Sequence, residues 1–212
     1  MNGSIPRKAR SVEAPLDRLR QAHPWPDRRP DVPEDWHGWL QPGTAWMLSS
    51  HLGPATRLVV ECGSWLGLSA RTILRAAPRA VLVCCDHWQG SPEHQPGTQH
   101  DDWSRRLATL HETFLRNLWR WRDRVIPVRA DSLDGLAEVR DAGLVPELVY
   151  LDGEHSFDRV SRELAFLAEH WPLAVVVGDD YSELEVARAA HAHAQQTGRS
   201  MISNGSSFCF EP

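Results

Sequence analysis

Carboxylates and glycines that follow apolar runs are the residues of this chain whose types and spacing could do chemistry. One apolar run ends at Glu61 and leads into two glycines spaced G-x-x-x-G, Gly63 and Gly67, and the next run, 81–85, ends at Asp86. Glycines at a strand-to-helix turn let the backbone approach a ligand, and a carboxylate on the next strand can accept both hydroxyls of a ribose. The spacing differs from the G-x-G-x-x-G motif that binds a pyrophosphate. It therefore favours a nucleoside without a diphosphate, such as S-adenosylmethionine (SAM), over NAD or FAD.

Three further aspartates follow two later apolar runs of this kind. Asp152 comes after the run at 148–151, and Asp179 and Asp180 come after the run at 173–177. Neighbouring strand ends lie about 5 Å apart, so these three carboxylates can converge on one cation. Oxygen ligands with water completing the shell suit Mg²⁺, with Mn²⁺ as a close relative. The alternative is that Asp179 and Asp180 form a polar turn before a helix.

The elements that must position these residues alternate between strands and helices. Strands are predicted at 57–62, 80–85, 125–129, 148–151 and 173–177, and helices at 68–77, 102–121, 132–142, 156–170 and 182–196. Asn204-Gly205 between two short apolar runs predicts a closing hairpin. The alternation predicts an α/β fold, a Rossmann-like, doubly wound and mostly parallel seven-stranded sheet with an antiparallel C-terminal hairpin strand. Ligands of such sheets bind outside the carboxyl ends of the strands, where the carboxylates named above lie.

The remaining sequence predicts how the chain is divided. Residues 1–30 mix proline, arginine and charge without periodicity, which predicts a mobile arm. We expect residues 31–212 to form a single domain, because their length and apolar content suit one core. Within it, 31–55 would form a tryptophan-rich helical entry that packs on the domain or over its active site, and 56–212 the Rossmann-like core.

Composition excludes several classes of function. A formal net charge of −5 gives no electrostatic reason to expect nucleic acid as a partner. No apolar run approaches the roughly 20 residues that span a bilayer, and no secretory signal is recognisable, so a membrane partner is not expected. The spacing of the four cysteines fits neither a zinc site nor a disulfide framework, which predicts buried, reduced thiols in a cytoplasmic protein. The expected partner is a small molecule, and homo-oligomer formation stays open.

With these motifs together, the chain resembles the class I SAM-dependent methyltransferases. More narrowly, it resembles the small-molecule O-methyltransferases that use a divalent metal, including the macrocin- and catechol-type enzymes. The resemblance covers roughly residues 56–210 and rests on VVECGSWLG, CCDHW, VRADS, VYLDGEHSF and VVVGDDY. It implies methyl transfer from SAM to a hydroxyl oxygen of a small-molecule acceptor. Methylation of nitrogen or carbon, other metal chemistry, and a non-catalytic cofactor binder are the alternatives.

The resemblance also implies which residues bind the cofactor. They are Glu61, Gly63, Ser64, Gly67, Asp86, His87, Trp88, Asp131 and Ser132. The glycine loop would surround the methionine part, and Asp86 would hold the ribose hydroxyls. His87 or Trp88 would lie against the adenine, and Asp131 with Ser132 would face its amino edge. Trp88 could instead pack in the core, and Asp131 could cap the helix that follows it.

The metal and the catalytic residues follow from the same resemblance. Asp152, Asp179 and Asp180 would hold a metal that binds two oxygens of the acceptor and lowers the pKa of its hydroxyl. His155 lies three residues past Asp152, where the catechol-type enzymes have a lysine base. A histidine could accept the proton of the acceptor, so Asp152 and His155 are the catalytic candidates, although His155 could also be a metal ligand or neither. Three histidines of one loop, His87, His94 and His100, have spacings that match no common metal site.

Overall fold

The strands predicted from the apolar runs form one mixed sheet. The computed structural model describes residues 13–98 and 101–212. The strands are β1 (Leu58–Cys62), β2 (Val81–Cys85), β3 (Val125–Val128), β4 (Leu148–Leu151), β5 (Val175–Gly178), β6 (Met201–Ser203) and β7 (Phe208–Phe210). In the sheet they lie in the order β3-β2-β1-β4-β5-β7-β6. Strands β1 to β5 are parallel, and β7 is antiparallel to both β5 and β6, so the predicted fold class is confirmed.

Helices cover both faces of this sheet. They are α1 (Glu13–Ala22), α2 (Pro42–His51), α3 (Leu68–Ala76), α4 (Asp101–Leu107), α5 (Leu110–Leu118), α6 (Ser132–Asp141), α7 (Phe157–His170) and α8 (Leu184–Thr197). Successive side chains of a strand point to opposite faces. Accordingly Val60 packs in a core with α1, α6, α7 and α8, whereas Val59 packs in a second core with α2, α3 and α5. Among the described residues, no helix is both long and apolar enough to cross a membrane.

The sheet order places a crevice between β1 and β4. From β1 the chain builds outward to β2 and β3, and β4 then returns to the other side of β1, which makes this pair the switch point where doubly wound sheets bind ligands. Gly63 lies at this point with a φ of +83°. A Cβ atom on Gly63 would lie 1.9 Å from the carbonyl oxygen of Asp152, so only glycine lets the two strand ends approach this closely.

The N-terminal segment differs from its prediction as a mobile arm. Residues 13–22 form helix α1, whose Leu16 and Leu19 are buried in the core. The segment is also fixed by a contact of His23 with Glu138 at 2.6 Å and by a hydrogen bond from Trp25 Nε1 to the Val125 carbonyl. Two leucines three positions apart lie on one face of the helix and enter the core, whereas most of its other residues are exposed. The part of the predicted arm before residue 13 lies outside the described residues.

Two other helix predictions are corrected in extent. The helix predicted at 102–121 is divided into α4, α5 and a 3₁₀ turn at Trp119–Arg124, because Thr109 leaves helical geometry with φ −124° and ψ 14°. The tryptophan-rich entry is helical only from Pro42, whose ring is suited to the first helical turn, and residues 33–41 are not helical. All four cysteines are buried and free, as expected.

Candidate active site

A cleft of about 710 Å³ opens at the carboxyl ends of the parallel strands β1 to β5. This volume lies within the range of clefts that hold small ligands and cofactors. Its lining includes predicted site residues from every one of these strand ends: Gly63, Ser64, Asp86, His87, Asp131, Ser132, Asp152, His155 and Asp180. The parallel sheet therefore brings together residues that lie more than a hundred positions apart in the chain.

Asp86 holds the glycine loop in place. Its Oδ2 accepts hydrogen bonds from the backbone N–H groups of Ser64 and Trp65, both at 2.9 Å, and its Oδ1 accepts one from the Trp88 N–H at 2.6 Å. Three of the lone-pair positions of this carboxylate are thus used within the protein. Asp86 lines the cleft as predicted, and it also fixes the glycine loop, a role that the sequence pattern does not reveal. Its neighbour His87 is partly exposed and also lines the cleft.

Trp88, by contrast, is turned into the core. It is 2 % exposed, its ring lies 4.7 Å from that of Phe114, and its Nε1 donates to the Trp65 carbonyl at 2.9 Å. A large aromatic side chain in this position contributes packing and fixes the turn after β2. Of the two predictions for Trp88, the structure agrees with the packing role and not with contact to an adenine.

Glu61 is buried beneath the glycine loop. It is fully shielded from solvent, and its Oε2 accepts hydrogen bonds from Ser64 Oγ at 2.5 Å and from Cys84 Sγ at 3.4 Å. Burial raises the pKa of Glu61 to about 7, because a charged carboxylate is poorly solvated there. Glu61 therefore supports the loop from below, and Gly67 ends the loop as the N-cap residue of α3 with φ +87°.

The turn after β3 closes another side of the cleft. Asp131 caps α6 by accepting a hydrogen bond from the Leu133 N–H, and it forms an ion pair with Arg159 at 2.5 Å. Ser132 donates a short hydrogen bond to Glu163, which is 1 % exposed. Asp131 is thus both a helix cap and a lining residue. Arg159 and Glu163, which the sequence analysis missed, lie on α7 and orient these two side chains.

The acidic end of the cleft lies at β4 and β5. One ligand atom each of Asp152, His155 and Asp180 lies within 4.8 Å of the other two, so the three side chains could hold one metal ion. His155 Nε2 lies 3.1 Å from Asp180 Oδ2, although without the alignment of a hydrogen bond. Burial, with the nearby charges of Asp179 and Asp180, raises the pKa of Asp152 well above its ordinary value. Burial also raises the pKa of Asp180, against the opposing effect of His155.

Asp179 does not join this group. Its Oδ1 accepts a hydrogen bond from Thr44 Oγ1 at 2.7 Å, and its Oδ2 accepts one from the Tyr150 hydroxyl at 2.8 Å. The side chain is 5 % exposed and is engaged inside the protein. The prediction of Asp179 as a ligand is therefore not reproduced in this arrangement, because α2 and β4 supply hydroxyl groups that no strand pattern would reveal.

An aromatic wall forms part of the cleft. It consists of Trp39, Trp65, His94 and Trp103, all of which line the cleft. The Trp39 ring lies 4.4 Å from that of Trp103 and is stacked on His94, with centroids 5.5 Å apart and planes 4° apart. The tryptophan-rich entry does contribute to the site through Trp39, as predicted. His94 takes part in this wall rather than in a histidine cluster, and His100 lies outside the described residues.

Comparison with known proteins assigns the family. The family model described as a methyltransferase domain matches residues 60–181, which are more than half of the chain and include most of the residues that line the cleft. The chain belongs to the methyltransferase-domain family. The predicted resemblance to class I SAM-dependent methyltransferases and the predicted enzyme class are thereby confirmed. A search of curated proteins finds no significant match to the chain.

Several solved structures share the fold of this chain, although their sequences are at most 19% identical to it. The O-methyltransferase TomG from Streptomyces achromogenes, involved in tomaymycin synthesis and solved with SAM, is 19% identical with a TM-score of 0.55, over 92% of this chain and 87% of that chain. An O-methyltransferase from Bacillus cereus, solved with S-adenosylhomocysteine (SAH), is 14% identical with a TM-score of 0.51, over 94% and 88%. CalS11, a TDP-rhamnose 3'-O-methyltransferase of calicheamicin biosynthesis, is 12% identical with a TM-score of 0.53, over 100% and 97%. At these identities the likeness is one of fold.

Proposed function

We propose that the methyltransferase transfers the methyl group of SAM to a hydroxyl oxygen of a small-molecule acceptor, assisted by a divalent metal, Mg²⁺ or Mn²⁺. One observation carries the proposal: a single cleft joins a glycine loop fixed by Asp86 to an acidic end formed by Asp152, His155 and Asp180. The first part suits a nucleoside, and the second suits a cation and an acceptor oxygen. Proteins of the same fold that are named as O-methyltransferases add support.

The acidic end fits a divalent cation by its charge as well as by its spacing. Burial raises the pKa of Asp152, and the charges of Asp179 and Asp180 beside it raise it further, while His155 is a neighbouring group that can carry positive charge. A cation held by Asp152 and Asp180 would offset this repulsion, with His155 or water completing the ligand set. When bound, such a metal supplies positive charge that lowers the pKa of an acceptor hydroxyl and orients its oxygen.

His155 is the residue that we propose to accept the proton of the acceptor. Its ring lies between two carboxylates, with Nε2 3.1 Å from Asp180 and Nδ1 3.5 Å from Glu183 Oε1. Glu183 beside Nδ1 orients the ring, and Nε2, which makes no hydrogen bond within the described residues, is the nitrogen available to accept a proton. The acceptor oxygen then attacks the methyl carbon in line with the bond to sulfur, and the protein contributes by positioning both reactants and neutralising the developing charge.

The experiment follows SAH release from SAM against a panel of small molecules that carry two adjacent hydroxyl groups, with Mg²⁺ or EDTA. We expect turnover with Mg²⁺ and its loss in EDTA. The variant His155→Gln should be slower by about 10²–10⁴, the usual contribution of a positioned base, with unchanged affinity for Mn²⁺. His191→Gln is the matched control, because His191 is an exposed histidine whose ring contacts Tyr181.

The same measurements separate the parts of the proposal. Weaker Mn²⁺ binding by His155→Gln would make the histidine a ligand instead of a base. Full activity in EDTA would remove the metal from the mechanism. A folded wild-type protein that fails to bind SAH in calorimetry would overturn the proposed function as a whole.

A further inference from the structure

A buried hydroxyl network lies behind the acidic end of the cleft. The Tyr150 hydroxyl is 2.8 Å from Asp179 Oδ2 and 3.1 Å from Asp152 Oδ2, and Thr44 donates to the other oxygen of Asp179. Tyr150 and Thr44 are both 0 % exposed. The network therefore joins three elements, α2, β4 and β5, in a place that water does not reach.

We propose that Tyr150 is a positioning residue that sets the orientation of the Asp152 carboxylate, and that Asp179 and Thr44 set the orientation of Tyr150. This inference rests on the proposed cation site. Because Tyr150 contacts Oδ2 of Asp152, Oδ1 is the oxygen left for a ligand in the cleft. Partners behind a coordinating side chain commonly change metal affinity by about 10- to 100-fold when they are removed.

The geometry gives Asp179 the part of an anchor in this network. The Tyr150 hydroxyl lies between two carboxylates, 2.8 Å from Asp179 Oδ2 and 3.1 Å from Asp152 Oδ2, and its single proton can be donated to either. Thr44 holds the opposite oxygen of Asp179, so the carboxylate cannot rotate without breaking a buried hydrogen bond. The position of the Tyr150 hydroxyl is thereby fixed at both ends. Asp179 therefore affects the Asp152 carboxylate through Tyr150, and this role explains why the Asp179 side chain is turned inward from the end of β5.

A role in packing alone is the alternative, since the Tyr150 ring lies in the same core as Met47 and Val59. The variant Tyr150→Phe separates the two roles because it keeps the ring and removes only the hydroxyl. Tyr181→Phe is the matched control. Tyr181 is the other of the two tyrosines of the chain, and its hydroxyl contacts His191 at 2.9 Å.

The test is calorimetric titration of Mn²⁺ into the full-length protein saturated with SAH. We expect wild type and Tyr181→Phe to bind with the same affinity, and Tyr150→Phe to bind about 10- to 100-fold more weakly while its affinity for SAH is retained. Thr44→Val should weaken Mn²⁺ binding in the same direction, and Thr44→Ser, which restores the hydroxyl, should return it towards wild type. If Tyr150→Phe fails to fold, the comparison of Thr44→Val with Thr44→Ser still tests the inference.

Two results would overturn the inference by itself. The first is wild-type Mn²⁺ affinity in folded Tyr150→Phe, and the second is an equal loss of SAH and Mn²⁺ binding, which would mean that the hydroxyl only supports the fold. Failure of the proposed cation site has a different signature, because the wild-type protein itself would then show no Mn²⁺ binding.

Discussion

Replacing Glu61 with glutamine is expected to remove a pH-dependent destabilisation of the fold. Burial raises the pKa of Glu61 from 4.5 to about 7, so the folded protein keeps a proton over a pH range in which the unfolded chain has lost it. Between these two values the folded state binds more protons than the unfolded state. The free energy of unfolding contributed by Glu61 therefore falls as the pH rises from 4.5 to 7.

The size of the effect follows from the same pKa difference. At about 1.4 kcal/mol for each pH unit, ionising the buried carboxylate destabilises the folded protein by about 3 kcal/mol at pH 8. Glutamine has nearly the same shape and keeps an oxygen for the hydrogen bond from Ser64, but it does not ionise. Relative to wild type, Glu61→Gln should gain stability between pH 5 and pH 8 by about this amount.

Urea unfolding at pH 5, 6, 7 and 8, followed by tryptophan fluorescence, measures this gain. Glu163, which is also buried and has a pKa of about 7, gives the wild-type protein a second contribution of the same sign, so the comparison must be made between variants at each pH. The exposed Glu112, changed to glutamine, is the control and should follow wild type. A difference in stability between wild type and Glu61→Gln that stays constant across this pH range would refute the reasoning.

Two further substitutions test the cleft and the N-terminal helix. Gly63→Ala should abolish SAH binding in calorimetry, because its Cβ would lie 1.9 Å from the Asp152 carbonyl oxygen. Gly153→Ala is the control and should leave the fold intact, since its Cβ would lie 4.0 Å from the Cys62 carbonyl. A Gly63→Ala variant that binds SAH normally would contradict the close approach of β1 and β4. Leu19→Ala should lower the free energy of unfolding by about 2–4 kcal/mol in urea, since Leu19 is 4 % exposed in the core beneath α1. Little change in Leu19→Ala would mean that α1 is not packed on the domain.

The strands and the glycine loop could be predicted from sequence because each depends on its own residues. Strands buried on both faces are continuous apolar runs, and the chain reversal at Gly63 and Gly67 needs the positive φ angles that glycine supplies. Alternating strands and helices make the strands parallel, which places Asp86 and Asp152 at one edge of the sheet. These parts of the site are properties of local sequence combined with general rules of topology.

The remaining features depend on contacts between distant segments. Asp179 and Asp180 are adjacent in sequence, and only the presence of Thr44 and Tyr150 decides that the first is turned inward. The motif CCDHW allows either adenine contact or core packing for Trp88, because nothing in it reveals that Phe114 of α5 lies beside the Trp88 ring. Helix α1 has two buried leucines among charged residues, a pattern too weak to predict a helix without the core that receives them.

The central claim is that one cleft holds both the cofactor and a divalent cation beside Asp152. A crystal structure of the protein grown with SAH and Mn²⁺ tests it most directly, because the anomalous signal of manganese locates the ion independently of the protein. The account predicts SAH between the glycine loop and Ser132, with a manganese peak within coordination distance of Asp152 and Asp180. SAH bound elsewhere, or manganese absent from the acidic end of a cleft that contains SAH, would contradict it.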